Sequence, residues 1–146
     1  MSTSIPADIA PDTAERLEEL ARAENVPVTQ LAGRAVAEYV RSARFPGIVF
    51  TTGGSGQRKA RLIGGTNVWS VVFIARCYDM DVVKTADHLE IPERAVELAL
   101  AYYQAYPDEI DRRLREMEEV EDDPTRLHPN LQVMKASDPE HAAATG

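Results

Sequence analysis

The chain has 146 residues with a net charge of −8, a hydrophobic fraction of 44% and a charged fraction of 27%. That suits one domain of ordinary size, or two small ones sharing a core. Its longest apolar run, Val71–Ala75, is too short to span a bilayer; Met1–Ser4 carries no leader pattern, and the lone Cys77 excludes an internal disulfide framework. The expected setting is reducing and cytoplasmic, with no membrane.

Charge is uneven along the chain. Residues 34–76 hold Arg34, Arg41, Arg44, Arg58, Lys59, Arg61 and Arg76 against Glu38 alone, a local +6. The flanking segments are acidic, −4 over residues 1–33 and −10 over residues 77–146. Such a stretch can attract phosphate inside an acidic chain, or it can pair internally with the acidic remainder.

In chain order, Ser2–Ala10 alternates loosely, with Ile5, Ala7 and Ile9 opposite Ser4, Pro6 and Asp8, and reads as a short strand. Pro6 confines it to an edge or a ribbon. Pro11-Asp12 opens a helix with the stripe Leu17, Leu20 and Ala21, which Asn25–Pro27 ends. Thr29 is the expected cap of a second helix with Leu31, Ala35, Val36, Tyr39 and Val40 facing inward.

Strand, helix, tight turn and helix in this order, carried by PDTAERLEELARAENVPVTQLAGRAVAEYV, resembles the ribbon-helix-helix fold of the CopG/Arc/MetJ class. The resemblance implies a homodimer interlocked through paired strands of residues 1–44. It also implies groove reading by outward ribbon side chains, here Ser4, Pro6 and Asp8, none of them basic.

Phe45-Pro46-Gly47 marks a boundary. Gly47–Thr51 and Lys59–Ile63 are strand-like runs joined by the glycine-rich Thr52–Arg58, which predicts a β-hairpin. The tip lacks the GxxxxGK[ST] spacing of a phosphate loop, and a strand follows it where a helix would be needed. Its cations make it a candidate for backbone contact with a nucleic acid. The candidate DNA-binding set is Arg34, Arg41, Arg44, Arg58, Lys59 and Arg61.

Three helical runs follow. The first carries Val68, Trp69, Val72, Ala75 and Cys77; the second spans Asp81–His88; the third runs from Pro92 to Tyr106. A short helix, a three-residue turn and a longer helix is the plan of a helix-turn-helix. Residues 46–115 resemble a family of small antitoxin-like helix-turn-helix domains paired with PIN-like nuclease toxins. The resemblance is carried by Gly47-Ile48-Val49, Gly65-Thr66, Val68-Trp69, the Ala86/Leu89/Ile91 turn and Ala99–Tyr103. The third helix departs from a groove reader, with Glu93 and Glu97 beside Arg94.

A further helix is expected over residues 107–121, with acid-to-arginine pairs Asp108/Arg112, Glu109/Arg113 and Asp111/Arg115 and the narrow stripe Ile110, Leu114 and Met117. Residues 122–146 read as a flexible tail. Within it Arg126, Leu127, Leu131, Val133, Met134 and Lys135 form the candidate toxin-binding set, since a cation there could displace the charge of a nuclease metal ion.

Catalysis finds little in the sequence. His88, His128 and His141 are scattered, and Cys77 has no evident base near it, so no catalytic, cofactor or metal site is expected. The expected fold is mainly α with short β elements. A ribbon-helix-helix-like unit (1–44) precedes a β-hairpin and helix-turn-helix-like domain (45–121) and the tail (122–146). The expected function is that of a type II antitoxin, a homodimer that neutralises a PIN-like ribonuclease and binds operator DNA for autoregulation. The alternative is a DNA-binding transcriptional regulator or protein-interaction module with no toxin partner.

Overall fold

A computed structural model describes residues 2–122, which form six α-helices and one two-stranded antiparallel sheet. In order these are α1 (Pro11–Glu24), α2 (Val28–Arg44), β1 (Ile48–Thr52), β2 (Arg58–Leu62), α3 (Val68–Cys77), α4 (Val82–Leu89), α5 (Glu93–Ala105) and α6 (Pro107–Asp122). The fold is therefore mainly α with a small β element. No helix among the described residues is long and apolar enough to cross a membrane.

The core forms where the helical periodicity is cleanest. Val68, Val71, Val72 and Ala75 of α3 are fully buried, as are Val96, Ala99 and Tyr102 of α5. Ile48 and Leu62 face each other across the hairpin, and Ile110 and Leu114 of α6 close the same cluster. The one buried polar side chain among them, Thr85, donates from its hydroxyl to the Asp81 carbonyl at 2.7 Å, so its burial leaves no orphaned donor.

Two corners fix the helix order. Asp81 caps α4 by accepting from the Lys84 N–H at 2.9 Å, and Glu90 ends it in the left-handed region (φ 55°). Between α3 and α4, Asp79 and Met80 are both left-handed, and the Met80 N–H donates to the Ala75 carbonyl at 2.7 Å. Residues 90–92 then give the short turn expected between α4 and α5.

The hairpin lies one residue away from the expected strand bounds, at Ile48–Thr52 and Arg58–Leu62. In this register Ile48, Phe50, Ala60 and Leu62 share the core face with Arg58, whereas Lys59 and Arg61 share the other. The three expected tip cations thus divide between two faces.

Several expectations for the first 44 residues are corrected. The strand expected over Ser2–Ala10 is not formed; those residues are exposed and carry no secondary structure, because within one chain no neighbouring strand stands beside them. Thr29 does not cap α2. Pro27 does, in an extended conformation, and its carbonyl accepts from the N–H groups of Gln30 and Leu31, each at 3.1 Å. Of the five residues expected to face inward on α2, only Leu31 is buried. Ala35, Val36, Tyr39 and Val40 are exposed, Val36 by 64% and Tyr39 by 75%. The opposite side of α2, polar in sequence, is the side held against the rest of the chain.

The acid-to-arginine pairs expected along α6 are also replaced. Glu109 pairs with Arg41 of α2 and Asp111 with Arg76 of α3, while Arg113 reaches Glu116. Ile110 and Leu114 are buried as expected, but Met117 is exposed. An i, i+4 pair on an open helix surface gains only a few tenths of a kcal/mol. For Glu109 and Asp111, partly buried partners on other helices outcompete it.

Gly47, between α2 and β1, has φ 107°, a region that L side chains rarely adopt, and a Cβ there would lie 2.8 Å from Leu98 Cδ2. Gly47→Ala is therefore expected to destabilise the chain by about 1–3 kcal/mol. Urea unfolding of the two proteins measures it, and equal midpoints would show that the corner relaxes without cost.

Candidate functional site

The six cations singled out as a DNA-binding set do not form one open basic surface. Arg34 closes α2 onto α1 by donating to both Glu24 oxygens at 2.8 and 3.1 Å. Arg58 grips Glu38 from two sides, Nε to Oε1 at 2.6 Å and Nη2 to Oε2 at 2.9 Å, in the bidentate geometry of a strong ion pair. It also donates to the Phe50 carbonyl and the Thr52 hydroxyl, both at 3.2 Å. Arg61 donates Nε to the Gly65 carbonyl at 2.9 Å. Arg44 reaches the Tyr106 hydroxyl at 3.1 Å and lies over the Phe45 ring. Of the six, Lys59 alone has no hydrogen bond or ion pair to the described residues, its ammonium folding back beside Gly53.

Arg41 is the most engaged. Its Nη1 donates to Glu109 Oε2 at 2.6 Å and to the Tyr102 hydroxyl at 3.4 Å, and its guanidinium lies 4.3 Å from the centre of the Tyr106 ring. Tyr102 in turn donates to the other Glu109 oxygen. This triad ties α2, α5 and α6 together around a side chain that is itself in the core. A parallel set ties α3 to α6: Arg76 donates to Asp111 at 3.0 Å and to the Tyr103 hydroxyl at 2.7 Å, and Tyr103 donates to Asp111 at 2.6 Å.

Most cations of the basic stretch are therefore engaged within the chain, in ion pairs and hydrogen bonds at or near its surface. Burial works against the charge on Arg41, but Glu109 and Tyr102 outweigh it and hold the guanidinium above its ordinary pKa. The hydrogen bonds that Arg58 donates to Glu38 do the same for its guanidinium. Burial, then the bond to Glu109, pushes the Tyr102 hydroxyl well above the tyrosine range.

Arg34, Arg41, Arg58 and Lys59 are nonetheless brought together, for all four line a cleft of about 460 Å³ between α2, the hairpin and α6; Arg44 and Arg61 lie outside it. Sequence reasoning did not find Glu38, Glu109 or Tyr102. The signal for Glu38 was its isolation, one carboxylate among seven cations. Glu109 was obscured by Arg113, an equally well spaced partner on its own helix. The candidate toxin-binding residues Arg126, Leu127, Leu131, Val133, Met134 and Lys135 lie outside the described residues.

Few features elsewhere point to chemistry. His88 sits in the last turn of α4 with Nδ1 2.9 Å from the Tyr78 hydroxyl, and Cys77 is exposed. Among the described residues no group of three or more His, Cys, Asp or Glu side chains converges to hold a metal ion.

The triad makes stability depend on alkaline pH. An unfolded tyrosine loses its proton near pH 10. Folded Tyr102 keeps its proton, so above that pH the unfolded chain binds fewer protons and stability falls as pH rises. Tyr102→Phe is expected to cost about 1–3 kcal/mol at neutral pH and to make the loss of stability above pH 10 shallower. Denaturant titrations between pH 8 and 11 check this (a range set by the ordinary tyrosine pKa of roughly 10); parallel pH profiles for both proteins would show that another group governs the alkaline limb.

Comparison with known proteins finds no match for this chain, whether among family profiles, curated sequences or solved structures.

Proposed function

We propose that the chain works by binding another protein, as an antitoxin-type homodimer that neutralises a PIN-like ribonuclease, with operator binding a secondary activity. The observation that carries the protein-binding part is the outward face of α2. Val28, Ala35, Val36, Tyr39 and Val40 occupy an arc of roughly 140° on the helix and are all exposed. Leu20 of α1 and Ile5 and Ile9 of the leading segment are exposed as well. A row of large apolar side chains on one helix face is stable in water only at a cost that a second protein surface removes. A second copy supplies the same face, together with a partner for the alternating Ser2–Ala10 segment.

Groove reading has weaker support. The exposed start of α5 presents Glu93 and Glu97 with Arg94, and the cations of the basic stretch are mostly bonded to carboxylates and tyrosines within the chain. The antitoxin assignment itself rests on the sequence resemblance over residues 46–115, and it names the partner as a nuclease whose acidic metal site attracts the cations Arg126 and Lys135.

Replacing Val36 and Tyr39 together by Asp places two charges in the proposed interface without touching the core. Sedimentation should then show monomer where the parent chain shows dimer, with an unchanged helical circular-dichroism signal. A persisting dimer would move assembly away from α2.

Deleting residues 124–146 is expected to abolish neutralisation of a nuclease encoded beside this gene while leaving the dimer intact. Full inhibition by the shortened chain would place toxin binding elsewhere. The regulator reading makes a separate demand, that replacing Arg58, Lys59 and Arg61 by Ala weakens operator binding and flattens its salt dependence.

A further inference from the structure

The cleft between α2, the hairpin and α6 has a use that neither assembly nor nuclease binding requires. Its volume of about 460 Å³ lies in the range of sites that enclose a small organic molecule. Its lining is mixed: Phe50, Trp69 and Ile110 supply apolar wall, and six cations stand against three carboxylates, Glu38, Glu109 and Glu116.

Two details give the cleft a preferred ligand chemistry. Trp69 Nε1 and Arg113 Nε are buried with no hydrogen-bond partner, and both residues line the cleft, the Arg113 guanidinium 5.4 Å from the centre of the Trp69 ring. Both groups only donate, so what would satisfy them is an acceptor. A buried donor left unpaired costs about 1–3 kcal/mol; neither nitrogen has accessible surface, so an acceptor in the cleft reaches it only after its side chain turns. In addition Arg112, on the rim, is exposed and has no carboxylate partner among the described residues, although Arg41, Arg58 and Arg113 beside it each have one.

We propose that this cleft binds a small organic anion, a phosphate or carboxylate group carried on an apolar or aromatic body. The anionic group meets Arg112 and, once the Trp69 and Arg113 side chains turn toward it, the two unpaired donors, and the body lies against Phe50 and Ile110. Because α2, the hairpin and α6 each contribute wall, an occupied cleft would fasten the N-terminal helices to the rest of the chain. This reading is independent of the nuclease assignment.

Calorimetric titration of the full chain at fixed ionic strength tests it, using phenyl phosphate, benzoate, inorganic phosphate and benzyl alcohol. The expected result is saturable binding of phenyl phosphate or benzoate with a Kd below about 1 mM, the tighter of the two identifying the headgroup. Inorganic phosphate should bind at least about tenfold more weakly, and benzyl alcohol not at all. Fluorescence of Trp69, the sole tryptophan of the chain, should follow the same curve.

Arg112→Ala, at an exposed and unpaired position, should weaken binding about tenfold without affecting the fold, and Trp69→Phe should weaken it while keeping the ring. Arg94→Ala, on the outer face of α5, should leave it unchanged. Absence of saturation with both organic anions would overturn the proposal. So would equal affinity for inorganic phosphate, or an affinity that Arg112→Ala does not change.

Discussion

Glu109 is the group on which the arrangement of the described chain depends. It stands at the start of α6, accepts from Arg41 of α2 through one oxygen and from Tyr102 of α5 through the other, and so joins the consecutive α5 and α6 to α2, 68 residues back along the chain. The apolar core beneath it, from Val68 to Leu114, would bring α3, α5 and α6 together by burial alone. It would not specify where α2 lies, because α2 contributes almost nothing apolar to that core. Hydrogen-bonded charges do so instead, through Arg41 to Glu109 and Glu38 to Arg58, with the Ser42 hydroxyl donating to the Ile48 carbonyl at 3.0 Å. Partly exposed pairs contribute modestly one by one, but several acting on one helix face select a single orientation.

The elements themselves were readable in the sequence. Helical periodicity found α3, α4, α5 and α6, and turn residues found the hairpin to within one position, because these segments pack against each other within the chain and their patterns are uncontested. The reading failed where its premise failed. Helical spacing predicts an inward stripe of Leu31, Ala35, Val36, Tyr39 and Val40, and of these Leu31 alone is buried. In a single chain the inward side of α2 is the polar one, where Arg34, Glu38 and Arg41 recur at the same spacing. A periodic pattern locates two faces of a helix but does not tell which is covered, and by what.

The candidate site divides in the same way. Counting charges located the basic stretch and offered two meanings for it, attraction of phosphate or internal pairing. The choice between them turns on which acids come near in space, and Glu24, Glu109 and Asp111 lie 10, 68 and 35 residues from the arginines they meet. No local rule reaches that far. Trp69 and Arg113 show the reverse case: each was visible as a residue, but that an N–H of each lacks a partner is a property of packing alone.

The two sides of α2 obey opposite laws of the solvent. Its inner side is held by ion pairs, which added salt screens over a Debye length of about 8 Å at physiological ionic strength. Its outer side is apolar, and excluded salts such as sulfate strengthen the burial of such a surface. Leaving Val36 and Tyr39 uncovered thus costs more under the same conditions that loosen the helix from its own hairpin. Ionic strength therefore acts in opposite senses on the two sides of one helix.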